Sequence, residues 1–221
     1  MARTPTDPVG LPDALRDLSD DELAELLRLR PDLLTPLPSD IAQLATRAAT
    51  RSSLGRVLDR LDRRELAVIE ALAVTGEPVS VSGLAALLGI TEDVLAPVLA
   101  GLRRLGLVWG SDDGLVTAHA MPDLLGSFPA GLGPRGALDL DPDKIEELLD
   151  EVGPEGRRLA KRLAAGPPVG VFEDPSVRAG GPLSEVLEAL HARHLLIRLD
   201  SRTVVLPREV GLHLRGGTLF A

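Results

Sequence analysis

The chain has 221 residues, 44% of them apolar, only 2% aromatic and none cysteine. That composition excludes disulfides, thiolate metal sites and cysteine nucleophiles, and it favours helical cores of Leu, Val and Ala. The formal charge of −9 opposes adherence of the whole chain to phosphate, so a nucleic acid must find local positive faces.

The opening "MARTPTDPVGLPD" lacks an apolar run, and no stretch approaches the roughly 18–20 residues of a membrane span. No leader and no membrane are expected, and the cytoplasm is the expected compartment. Ser19 and Glu22 have the spacing of a capping box. They predict a helix to Arg30, where Pro31 stops it. Ser39 is the expected N-cap of "DIAQLATRAAT", and "SLGRVLDRL" predicts a third helix. Residues 1–61 therefore read as an N-terminal all-α cap.

Residues 62–120 carry the clearest pattern. Leu66, Ile69, Leu72 and Ala73 recur at helical spacing, Gly76 closes that helix, and "EPVSV" is extended. In "SGLAALLGITEDVLAPVLAGLRRLGLV", Leu84, Ala85, Leu88, Gly89, Ile90, Leu95 and Val98 fall where a helix-turn-helix needs apolar or small groups. "GLVWGSDDGLVTAH" predicts a hairpin around "SDDG". Helices followed by a hairpin make a winged helix.

Residues 121–140 are rich in Gly and Pro and read as a linker. Asp141 and Pro142 start the helix "DKIEELLDEV". The earlier pattern returns over residues 141–221: "PEGRRLAKRLAAGPPVGVF" parallels the first long helix, and "PLSEVLEALHARHLLIRLDSRTVVLP" parallels the third helix and hairpin. Between them "EDPSVRAGG" is too short and Gly-rich for a full second helix. The expected fold is mainly α with small β-wings: a helical cap and two winged helices, the second degenerate.

Enzyme signatures are missing. Neither Lys144 nor Lys161 follows Gly, so no phosphate loop is present. No Ser lies in a nucleophile elbow. "DEVG" ends an amphipathic helix rather than following an apolar strand. His191 and His194 are three apart but have no third ligand nearby. No enzymatic activity, metal or cofactor is expected. A small-molecule sensor has no visible pocket motif.

The helix that conventionally reads bases offers Glu92, Asp93, Ala96 and Pro97. Its acids repel phosphate, so base reading by this helix is not expected. Arginines lie elsewhere. Arg47 and Arg51 are i,i+4, and Arg56, Arg60 and Arg63 or Arg64 continue the series. The plain alternative is a solvated face paired with Asp59, Asp62 and Glu65. In "RRLAKR", Arg157, Arg158, Lys161 and Arg162 cluster on one helix. The second wing adds Arg198 and Arg202, with Arg208 and Arg215 beyond. Double-stranded DNA, held by its backbone, is the expected partner. With so few aromatics, stacking of single strands is not expected. The alternative is a protein-interaction scaffold in which the acidic first winged helix docks a basic partner.

The stretches "LRLRPDLLTPLPSDIAQLATRAATRSSLGRVLDRLDRRELAVIEALAV" and "LLIRLDSRTVVLPREVGLHLRGG" resemble the N-terminal part of actinobacterial helicase-associated domain proteins, which are likened to the N-terminal domain of XPB-type helicases. "RPDLLTPLPSD" and "VVLPREVGL" carry most of that resemblance, which covers nearly the whole chain. It implies a DNA-associated role in repair or transcription, and a chain that continues beyond this one. It implies no helicase activity, because no motor motif lies here, and it supplies no binding residues.

Overall fold

Side-chain caps set several of the helix starts in the computed structural model, which describes residues 10–76, 78–138, 140–172 and 181–220. The chain divides into two compact units, Met1–Gly126 and Ser127–Ala221. It is mainly helical with small antiparallel sheets, as composition and periodicity predict.

In the first unit, α1 (Leu11–Arg16) precedes α2 (Asp20–Leu29), where Ser19 and Glu22 form the expected capping box. α2 ends at Arg30, immediately before Pro31. α3 (Ile41–Ala48) begins one residue later than expected. Asp40, not Ser39, caps it, accepting from the Gln43 N–H at 2.8 Å. A carboxylate there satisfies a free donor and complements the helix dipole.

After α4 (Arg51–Leu58) come α5 (Arg63–Thr75), α6 (Val81–Leu88) and α7 (Glu92–Arg104). Gly89 closes α6 at φ 68°, a left-handed conformation that favours glycine, and α6 and α7 are bent 110° from one another. The three helices pack together around buried Ile69, Leu72, Leu84, Leu95 and Leu99. α7 stays helical through Pro97. The missing bond falls on the Asp93 carbonyl, on the exposed side of the helix. β1 (Val108–Trp109) pairs antiparallel with β2 (Val116–Thr117), and Val79 adds an antiparallel bridge to Leu115.

Residues 1–61, the expected helical cap, and 62–120, the expected first winged helix, lie together in the first unit. Arg30 supplies one reason. It has no exposed surface. Its Nη2 donates to the Ala48 carbonyl at 2.9 Å and to Ser53 Oγ at 2.7 Å, and its Nη1 to the Leu105 carbonyl at 3.2 Å. One guanidinium thus ties the ends of α2, α3 and α7 to α4. Burial pushes its pKa down, and Asp32 opposes the shift.

In the second unit, α9 (Pro142–Glu151) starts at the expected cap, with Asp141 accepting from the Lys144 N–H at 2.8 Å. Then follow α10 (Gly153–Ala165), β3 (Val169–Val171), α11 (Pro182–Ala192), β4 (Ile197–Arg198), β5 (Thr203–Val205) and α12 (Arg208–Leu214). β5 is central in the order β3-β5-β4, all antiparallel, with Val205 opposite both Val169 and Ile197. The core gathers Ile145, Leu149, Leu163, Leu190, Val204 and Val210. The "EDPSVRAGG" interval that was expected to interrupt the second winged helix lies, apart from its last glycine, outside the described residues.

The boundary between the two units falls after Gly126, inside the expected linker 121–140, and residues on either side of it pack within their own unit. Met121 is buried in α8 (Met121–Leu124), which packs on α4 and α5 within the first unit. Leu132 is buried in the second unit. There the Arg215 guanidinium donates to the carbonyls of Ala130 at 2.9 Å and Gly131 at 2.8 Å, and the Arg208 N–H donates to Pro134 O at 2.9 Å. A Cβ at Gly133 would overlap the Leu206 carbonyl oxygen, so only glycine lets this segment lie where it does. Among the described residues no single helix is long and apolar enough to cross a membrane.

Candidate nucleic-acid interface

α10 is sided. Gly156, Ala160, Leu163 and Ala164 are buried on its inner face, while Arg158, Lys161 and Arg162 are exposed opposite. At 100° per residue these three fall within roughly 100° of arc. None of them forms an ion pair or side-chain hydrogen bond among the described residues.

Arg157 does not join them. It turns to α9, where Nη1 lies 2.8 Å from Glu146 Oε1 and Nη2 2.7 Å from Asp150 Oδ1. The hydrogen bond with Glu146, more than any other partner, raises its pKa. His213 Nε2 lies 2.7 Å from the other Glu146 oxygen. The His213 bond first, and then Arg157, hold the Glu146 carboxyl below its ordinary 4.5. Arg157 is therefore neutralised in a structural network and is withdrawn from the candidate interface.

Arg47 and Arg51 are likewise engaged. Half-buried Arg47 donates to the carbonyls of Leu33, at 2.9 Å, and Pro36, which fixes the loop before α3. Arg51 pairs with Asp123 of α8. Arg60 donates to the Leu29 carbonyl at 2.9 Å. The i,i+4 spacing predicted a stripe, but tertiary partners from other elements take up these side chains. Arg208 and Arg215 are half-buried, with their pKa values pushed down by burial.

Arg198 and Arg202 are exposed on either side of the β4–β5 turn. Asp200 Oδ1 holds that turn by accepting from the backbone N–H groups of Arg202 at 2.7 Å and Thr203 at 2.8 Å. Those bonds lower the Asp200 pKa. The two arginines line a pocket of about 370 Å³ with Ser184 and Glu188 of α11 and with Phe172. No residue of α10 lines it. The expected basic cluster is thus two groups, the α10 trio and the wing pair. The pocket, and Ser184 in it, had no signal in the sequence.

No known protein family, characterised protein or solved structure matches this chain.

In the first unit α7 exposes Glu92, Asp93, Val94, Ala96 and Pro97, and Ile90 is exposed in the turn before it. Arg103 pairs with Asp112 at 2.8 Å, and Arg104 with Glu25 at 3.3 Å. This helix therefore presents acids and apolar groups. His191 and His194 do not share a helical face, because α11 ends at Ala192 and His194 takes φ 59° in the turn beyond. Among the described residues no group of three His, Asp or Glu is placed to hold a metal ion.

Proposed function

We propose that this chain is a nonenzymatic DNA-associated module that holds duplex backbone through its second unit. The observation that carries the proposal is the exposed Arg158–Lys161–Arg162 face of α10, unpaired among the described residues. Arginine forks suit phosphate, and cations on one helix face track a backbone. The wing pair Arg198 and Arg202 adds two further phosphate contacts.

Charge distribution agrees with this assignment. The second unit has 12 basic and 14 acidic residues, net −2, whereas the first has 12 and 19, net −7. We read both units as winged helices, the second degenerate. In each, a long helix leads to an extended segment that pairs with the last strand of a hairpin: Val79 with Leu115, and β3 with β5. The 110° angle across Gly89 suits a helix-turn-helix. On the sequence resemblance to helicase-associated proteins alone, we further propose a role in repair or transcription in the cytoplasm, at the nucleoid.

A second reading rests on α7. Exposed Ile90 and Val94 beside Glu92 and Asp93 suit a basic protein partner of the first unit.

Duplex binding measured against salt separates the two. Five phosphate contacts give a log–log slope of about −4.5, and the α10 trio alone about −2.7. Absence of binding at about 50 mM salt, or a slope near zero, overturns the DNA reading.

A further inference from the structure

The pocket beneath the second wing has the features of a ligand site. Its floor is apolar, from Leu187, Val204 and Phe172. Ser184, in the first turn of α11, is only 8% exposed and lines the same space. Its hydroxyl makes no hydrogen bond among the described residues. That hydroxyl reaches the open space of the pocket and is free to donate to a ligand atom there. Arg198 and Arg202 stand at the mouth without carboxylate partners among the described residues.

Two carboxylates also line the pocket, and they narrow the ligand. Asp200 is committed to its turn through two backbone donors. Glu188 is exposed at the rim and makes no ion pair among the described residues. Formal charge over these four groups is zero. A bare anion therefore gains little, whereas a ligand with an anionic end and a donor-bearing end matches both sides. The volume of about 370 Å³ falls in the small-ligand range.

We infer that this pocket binds a single nucleotide, with its phosphate on Arg198, Arg202 and the Ser184 hydroxyl and an N–H donor edge of its base on Glu188. Guanine, with two adjacent N–H donors, pairs best with a carboxylate. The inference deepens the DNA reading, since Arg198 and Arg202 belong to both. The nucleotide comes either free from solution or as the unpaired end of a strand.

Titration calorimetry of the full chain tests this, with guanosine monophosphate, guanosine and inorganic phosphate as separate probes. Anisotropy with a blunt duplex, and with the same duplex carrying a one-guanosine overhang, supplies the second arm. Guanosine monophosphate binds at least about tenfold more tightly than either fragment, and Ser184→Ala weakens it by about tenfold, the worth of one hydrogen bond to a charged group. Arg198→Gln and Arg202→Gln weaken it further, with unchanged circular dichroism. Tighter binding of the overhang than of the blunt end assigns the site to strand ends, and equal binding assigns it to the free nucleotide. If the blunt duplex binds but the mononucleotide and the overhang gain nothing over their controls, the pocket inference falls and the duplex reading stands. If the mononucleotide binds and the duplex does not, the reverse holds.

Discussion

Replacing Arg30 by Met removes the buried junction of the first unit while keeping most of the side-chain volume. Three hydrogen bonds disappear: to Ala48 O at 2.9 Å, Ser53 Oγ at 2.7 Å and Leu105 O at 3.2 Å. Ser53, itself buried, hydrogen-bonds Asp32, and both lose their cation. Each stranded buried acceptor costs about 1–3 kcal/mol, and breaking a buried charged network costs about 3–5 kcal/mol in all. The Met stem recovers some apolar contact, so the expected loss for Arg30→Met is about 3–5 kcal/mol. That is a large share of a typical domain stability of about 5–15 kcal/mol. Trp109 is the only tryptophan in the chain and lies in the first unit, so its fluorescence in a urea titration reports that unit alone. Buried ionic groups sometimes destabilise relative to apolar replacements. A midpoint that stays put, or rises, would refute the view that Arg30 binds the helical cap to the rest of the unit.

Two further outcomes concern the second unit. Glu146 has a lowered pKa in the folded chain, so its contribution is complete above its ordinary pKa of 4.5 and is lost as pH falls through the folded value. Urea midpoints from far-ultraviolet circular dichroism should fall on acidification below about pH 4.5, less steeply in Glu146→Gln. Gly133→Ala forces a Cβ against the Leu206 carbonyl and should destabilise this unit by about 2 kcal/mol or more. A wild-type midpoint in that variant would mean the segment is not held there.

Local signals were legible and tertiary ones were not. Ser19 with Glu22, Asp141 with Pro142, and Gly89 mark element ends through bonds within a few residues, and each was readable. Ser39 misled by one position because Asp40 beside it is the better acceptor. Arg30 reads as a solvated residue at a helix end, since charged side chains are rarely buried, and nothing nearby in sequence announces Ala48, Ser53 or Leu105 as partners. For Arg47, Arg51 and Arg157, spacing fixed the helix but not the partner: Asp123 lies 72 residues from Arg51. The α10 trio was legible because its exposure follows from the apolar period of one helix. Ser184 was illegible, because an unpartnered hydroxyl is defined only by what surrounds it.

The central claim is that duplex DNA is held on the outer face of α10. Arg158, Lys161 and Arg162 changed together to Glu replace three exposed cations without touching the core. Fluorescence anisotropy with a labelled duplex at about 50 mM salt is the direct measurement. Loss of detectable binding by a variant that keeps its helical circular dichroism is the predicted result. Affinity equal to that of the unaltered chain would contradict the account.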